Sequence, residues 1–442
     1  MNNYVLYQER RKKLLDCIRQ ESWSGEGAVV LCAGLESERY RFRQESSFYY
    51  FTGITEPGVV LIIDFSGKTT LYIPDYGGRR ATWVERSLDT SAACASSYGV
   101  DSITYAGAQI KGYAVWPFFG PSDYSFLLKE LSELVNHGKK IYTLAPQDQR
   151  SYVEQRFFLA RLNEYVTDMR SAYVDISACV AALRRCKDPH EIEQLFKAVR
   201  TTVMAHEGAV QVIKPGVNEA DVQAAIEFVF HSAHNSASFP SIIGSGPNST
   251  ILHYGSNNRL MHDGDLVVVD IGADHEYYCA DITRTYPVSG VFTDRQREIY
   301  DIVLAAQQYI ADIAKPGMWL NNADHQDASL NHLAHEYIKQ SGYGEYFPHG
   351  IGHYLGIDVH DVGSLALPLA VGDVITIEPG IYIPSEGIGV RIEDDFWVVA
   401  DGVMCLSEDL PRTASDIEEM MARCKEEPGV TDEAMDDAAG TA

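Results

Sequence analysis

The chain reads as a two-domain protein, an α/β domain with a mixed sheet and flanking helices over residues 1–172 followed by a second domain over 173–424 built from a repeated unit. Three observations predict this. Its 442 residues exceed a single typical domain and allow a large core. The first part alternates short apolar strands with helical segments. In the second part, motifs recur about a hundred residues apart.

The elements follow in order. MNNYVLYQERRKKLLDCIRQ is a basic amphipathic opening helix, and strands are expected near GAVVLCAG, SFYYFTG, GVVLIIDF and TTLYIPD, with a turn at SGK. Helices are expected around SDYSFLLKELSELVNHG and from Tyr152 to Arg170, with a break at Ser171 to Ile176. A long helix then begins at Asp188, its cap, with Pro189 in the first turn and Ile192, Leu195, Phe196, Val199 and Val203 on one face. Within the second domain Ile213–Gly216 (IKPG) recurs as Ala314–Gly317 (AKPG), an offset of 101 measured from 216 to 317. His253-Tyr254 recurs as His353-Tyr354 at 100, and Gly264-Asp265 as Gly372-Asp373 at 108. The last residues, 425–442, are acidic and small and read as a disordered tail.

Composition excludes several classes. At 45% hydrophobic and 22% charged residues the chain is globular, and no apolar run approaches membrane-spanning length. A net charge of -26 argues against nucleic acid, which needs clustered Lys and Arg. The N-terminus lacks a signal-peptide apolar stretch, and the eight cysteines form no CxxC pair, so reduced thiols in a cytoplasmic protein are expected. Cys279 reads as a small buried hydrophobe.

The chemistry concentrates in Asp270, Asp281, His353, Glu378 and Glu393. Asp270 ends the apolar run of DGDLVVVDIG, Glu378 that of GDVITIEPG and Glu393 that of GIGVRIEDD. Asp281 lies in YYCADITRTYPV, where strand alternation puts Cys279, Asp281 and Thr283 on one face. His353 stands in HGIGHYLGIDVHD. Four buried acids near one another cannot all ionise, and divalent cations remove the conflict. The offset of 108 also carries Asp270 onto Glu378, and 112 carries Asp281 onto Glu393, so a duplicated half folded on its twin would set two acids from each around one cleft. Carboxylates with one imidazole suit manganese, cobalt or zinc, and two such ions a few ångströms apart activate a shared water for acyl or peptide hydrolysis. His253, His349 and His360 sit in the same motifs as donors to a carbonyl or its oxyanion.

The segments ILHYG, DGDLVVVDIG, ADITRTYPVSGVFT, HGIGHYLGIDVHDVG, TIEPGIYI and GVRIEDD resemble the pita-bread metallopeptidases, and RFRQESSFYYFTGITEPG is similar to the N-terminal domain of Xaa-Pro aminopeptidases (aminopeptidase P). The resemblance implies an α+β pita-bread catalytic domain with pseudo-twofold duplication. It implies that Asp270 chelates one ion, that His353 and Glu378 hold the other, and that Asp281 and Glu393 bridge both, the ions being manganese, with cobalt or zinc as alternatives. Glu378 would also shuttle a proton for the bridging hydroxide. His253 and His360 would face the scissile carbonyl, His349 would help hold a proline ring, Arg391 would orient a metal carboxylate and Tyr382 would lie near the intermediate. Trp83 resembles a tryptophan that in bacterial aminopeptidases reaches a neighbouring subunit's cleft, implying a homo-oligomer, dimer or tetramer. The implied reaction is release of the N-terminal residue from peptides with proline second. The stretch Ile383–Ile388 is shorter than in many relatives, which bears on cleft shape. A prolidase acting on Xaa-Pro dipeptides, a metal-free creatinase-like hydrolase and a non-catalytic peptide-binding module are the competing readings.

Overall fold

Strand β1 (Gly27–Cys32) is buried from Ala28 to Cys32, so both faces of its sheet are covered. The computed structural model describes residues 3–21, 26–37, 41–84, 88–116, 119–146 and 152–426. With β2 (Val60–Asp64), β3 (Thr69–Ile73), β4 (Ser102–Tyr105), β5 (Lys140–Thr143) and β6 (Tyr173–Asp175), β1 forms a six-stranded sheet of order β4-β3-β2-β1-β5-β6. The β1–β2 and β2–β3 pairs are antiparallel and the other three are parallel, the expected mixed sheet. Ala28, Val30 and Cys32 pack with Leu127 and Leu131 of the helix Ser125–Asn136 and Phe158 of the helix Val153–Asn163.

Two expectations are corrected in this unit. SFYYFTG is not a strand: Ser46–Thr52 is a helix, capped by the Glu45 carboxylate, which accepts from the Phe48 N–H, and closed by Gly53 at φ 65. An apolar run as short as Phe48–Phe51 is compatible with either period, and the caps decide. The expected break at Ser171 to Ile176 is instead the sixth strand, Tyr173–Asp175, parallel to β5, and the chain divides into compact units at Arg184/Arg185.

The second unit opens with the helix Pro189–Val212, whose Asp188 and Glu191 form a reciprocal capping box. Its buried face runs from Ile192, Leu195 and Val199 to Thr202, Ala205 and Ala209. Phe196 is 40% exposed, since it follows Leu195 by about 100° of helix turn. The helix Glu219–Ser232 packs on it, and β7 (Ser236–Ala237), β8 (Ile242–Ser245), β9 (Leu266–Ile271), β10 (Ala273–His275), β11 (Tyr278–Cys279) and β12 (Ile282–Pro287) follow. Two further helices, Asp294–Ile313 and Leu330–Gln340, precede β13 (Val374–Ile377), β14 (Gly380–Ile383), β15 (Ile388–Arg391), β16 (Asp394–Val399) and β17 (Gly402–Cys405).

The duplication is visible in this order. Each half is a pair of helices followed by a three-stranded antiparallel sheet, β12-β9-β8 in the first and β13-β16-β17 in the second. β9 carries Asp270 and β13 ends beside Glu378, while Asp281 and Glu393 immediately precede β12 and β16. The halves meet at an isolated antiparallel bridge between Thr283 and Glu393. The fully buried Arg284 reinforces this seam, donating to the Glu393 carbonyl at 2.8 Å and to Asp394 Oδ1 at 2.7 Å. The chain closes with the helix Ala414–Glu426, and residues 427–442 of the expected tail lie outside the described residues.

Candidate metal centre

The acid candidates stand where strands begin or end. Asp270 lies in β9 opposite Thr283 of β12 and Ile242 of β8. Gly272 lets the chain pass close by, since a Cβ there would sit 1.7 Å from the Ala280 carbonyl oxygen. The continuous strand expected through Asp281 is interrupted: Ala280 and Asp281 separate β11 from β12, and the Asp281 N–H donates to Asp395 Oδ2 at 3.2 Å. Cys279, on β11, is buried with its Sγ on the Ile357 carbonyl.

His353 sits on an irregular segment fastened to β13. Its N–H donates to Thr376 Oγ1 at 3.1 Å and its carbonyl accepts from the Thr376 N–H at 2.9 Å. Gly352 permits this approach, because a Cβ would meet the Thr376 carbonyl oxygen at 2.0 Å. His353 Nδ1 lies 3.1 Å from the Tyr354 carbonyl, which can only accept, so Nδ1 carries a proton. Nε2 therefore faces Asp281 Oδ2 at 3.3 Å and Glu378 Oε1 at 3.5 Å. Glu378 Oε1 also accepts from Thr376 Oγ1, and Glu393 Oε2 accepts from Thr283 Oγ1 at 2.6 Å.

Asp281, His353 and Glu393 each place one donor atom within 4.8 Å of the others, a spacing that fits a cation. Asp270 and Glu378 line the same cavity of about 760 Å³ but stand outside that trio. Asp270 Oδ2 accepts from Arg391 Nη2 at 2.5 Å, and its Oδ1 is buried with no hydrogen-bond partner. The electrostatics match the crowding. Burial and the neighbouring carboxylates raise Asp281 to about 7, raise Glu378 above the usual carboxylate range, and hold Glu393 and Asp395 well above it. Burial opposes a charge on His353, yet Asp281 and Glu378 outweigh it and raise the imidazole to about 9. The donor set, the orphaned oxygen and this strain on ionisation fit a cationic guest.

The remaining candidates surround the five. His253, His349 and His360 line the cavity, His253 from an exposed position. The His360 ring lies 4.2 Å from that of His353. Burial, then the His353 charge, lowers His360 to about 4, while burial and Arg391 lower His349 to about 4. Both are neutral at neutral pH. His349 Nε2 is 2.9 Å from the Tyr382 hydroxyl, which accepts from Arg391 Nη1 at 3.0 Å. Trp83 belongs to the first unit, 69% exposed and stacked on Tyr113 with ring centroids 5.2 Å apart. Sequence reasoning did not single out Thr376 or Asp395 as supports of this site, nor the apolar wall of Phe239, Ile242, Leu252 and Val359. It placed Thr283 on the Asp281 face without a role. The available signal was the hydroxyl two residues from a ligand acid in both DIT and TIE.

Fold and site together define a metallopeptidase. The profile of metallopeptidase family M24 matches residues 193–400, and that of the aminopeptidase P N-terminal domain matches 7–111. The Xaa-Pro aminopeptidase of Escherichia coli K12 is 32% identical, with 95% of this chain and 98% of that one covered. The Xaa-Pro aminopeptidase of Haemophilus influenzae is 31% identical (94% and 96% covered), and the human Xaa-Pro dipeptidase 28% identical (95% and 94%). The structure of E. coli aminopeptidase P with the inhibitor Pro-Leu superposes with a TM-score of 0.80 at 30% identity, covering 96% of this chain and 99% of that one. A zinc-substituted form of the same enzyme with product gives 0.79 at 29%, with equal coverage. The chain belongs to metallopeptidase family M24 and carries the aminopeptidase P N-terminal domain. Among the described residues no helix is long and apolar enough to cross a membrane.

Proposed function

We propose that the chain is a cytoplasmic Xaa-Pro aminopeptidase that removes the N-terminal residue from peptides with proline second. The observation that carries this is the gathering of four carboxylates and an imidazole on the floor of a peptide-sized cavity with apolar walls. Asp281 and Glu393 would bridge two divalent ions, with Asp270 completing one site and His353 and Glu378 the other; manganese suits this oxygen-rich set, with cobalt and zinc as alternatives. When bound, the ions supply Lewis acidity and make water a nucleophile at neutral pH.

The chain's own residues would do the rest. Proline's tertiary amide offers no N–H and a fixed φ, so recognition falls to shape and to the carbonyl. His253 and His360 line the cavity and would face that carbonyl, and the neutral His360 imidazole can donate a hydrogen bond to its developing negative charge. Glu378, its pKa raised by burial, is suited to take a proton and return it to the leaving proline nitrogen. Arg391 holds Asp270 and Tyr382, and through Tyr382 it steadies His349, which would help hold the proline ring. The exposed Trp83–Tyr113 stack supports a homo-oligomeric assembly. The test is turnover of an Xaa-Pro dipeptide against an Xaa-Pro-Yaa tripeptide, before and after chelation and manganese addition. Metal-dependent tripeptide cleavage is expected. Exclusive dipeptide cleavage would make the chain a prolidase, and no cleavage with manganese would make it a binding module.

A further inference from the structure

We propose that Thr283 is a positioning residue that fixes the orientation of the Glu393 carboxylate by relaying the charge of Arg391 to it. The inference rests on the two-ion reading above and assigns a role to a residue that is itself no ligand. A threonine hydroxyl has one proton. Thr283 Oγ1 commits it to Glu393 Oε2 at 2.6 Å, leaving only lone pairs to receive the Arg391 Nε–H at 3.2 Å. The direction of the chain is therefore set: guanidinium to hydroxyl to carboxylate. With Oε2 fixed by this bond, its second lone pair and Oε1 remain for cations.

Three further features make the relay stiff. Thr283 is fully buried, so no bulk water can replace the hydroxyl. The backbone pins the same pair, with the Glu393 N–H donating to the Thr283 carbonyl at 3.1 Å, and the β-branched side chain has few rotamers. Arg391 is committed on all sides, with Nη2 on Asp270, Nη1 on Tyr382 and Nε on Thr283, so one guanidinium ties ligand candidates from both halves.

The internal repeat supports the assignment independently. Thr283 lies two residues after Asp281, and its counterpart, Asp395, lies two after Glu393. Asp395 reaches back to the first half, accepting from the Asp281 N–H. Each half thus supports the other half's bridging acid, Asp395 through the backbone and Thr283 at the ligand oxygen itself.

The experiment is calorimetric titration of the metal-free full-length protein with manganese, with electron paramagnetic resonance of the loaded protein and thermal melting of the metal-free form. Thr283→Val removes the hydroxyl at nearly constant shape and Thr283→Ser keeps it. The expected result is manganese binding weakened roughly 10- to 100-fold in Thr283→Val, with loss of the spin-coupled pair signal, while the metal-free form, having lost two buried hydrogen bonds, melts lower but still in one cooperative transition. Thr283→Ser should bind within about threefold of wild type, because the relay remains. If Thr283→Val does not fold, Thr283→Ala removes the hydroxyl with less crowding of Glu393 and takes its place. Two ions bound by the hydroxyl-free variant with wild-type affinity and signal would overturn this inference alone. A wild-type protein binding fewer than two ions would overturn the two-ion reading and this inference with it.

Discussion

Of the histidines around the centre, His360 separates chemistry from metal binding most cleanly. Its ring packs on His353 yet it is no ligand candidate, and it is neutral at working pH. Replacing it with Phe keeps the ring contact and removes the donor. The expected outcome is a loss of roughly 10²- to 10³-fold in kcat/KM at unchanged metal stoichiometry. Wild-type turnover in His360→Phe would remove this side chain from the proposed mechanism. At this scale much was legible. Asp270, Glu378 and Glu393 could be read because an acid ending an apolar strand is conspicuous against its neighbours. Thr283 and Thr376 could not, because a hydroxyl on a strand is ordinary and its importance lies in which atom it touches.

Among the elements, the segment bearing His353 depends on one glycine. A methyl at Gly352 would collide with the Thr376 carbonyl, so the segment must lift from β13 and carry His353 away from Asp281. Gly352→Ala is expected to destabilise the fold by roughly 1–3 kcal/mol and to weaken manganese binding, both readable from melting with and without metal. An unchanged affinity would show that the segment tolerates the displacement. The elements the sequence disclosed were those with local signatures: the helix after Asp188 announces itself by its capping box and Pro189. SFYYFTG misled because its helix is set by Glu45 and Gly53 at its ends, outside the apolar pattern. The interruption at Asp281 was hidden because it follows from the close passage of Gly272 beside Ala280, a contact between chain segments that alternation does not record.

For the whole molecule, the crowded acids predict how stability follows pH when metal is removed. Asp281 is raised to about 7, and Glu378, Glu393 and Asp395 are raised as well, so the folded metal-free chain binds more protons than the unfolded one. Their contribution is full below the ordinary carboxylate range, near pH 4, and is lost as pH rises through 7 and beyond. His353, raised to about 9, acts in the same sense between about pH 6.5 and 9. Buried His206, lowered to about 3 by desolvation and then Arg284, acts oppositely, its contribution present above about pH 6.5 and lost on acidification. Between pH 6.5 and 9 the carboxylates and His353 change, while His206, like the lowered His349 and His360, does not. The chelated protein should therefore melt lower at pH 9 than at pH 6.5, by about 3 °C or more, and manganese should raise and flatten the curve. A metal-free melting temperature that is flat or rising over this interval would contradict the crowding.

The placement of the four acid candidates at or beside strand ends has a consequence for how such a protein can diversify. The acids of the cavity floor are joined to two sheets and a buried seam, while Phe239, Leu252 and Val359 form the wall from connecting segments. Exchanging a wall side chain alters which peptides are accepted and leaves the floor's register intact, so selectivity can drift through single substitutions while rate is inherited unchanged.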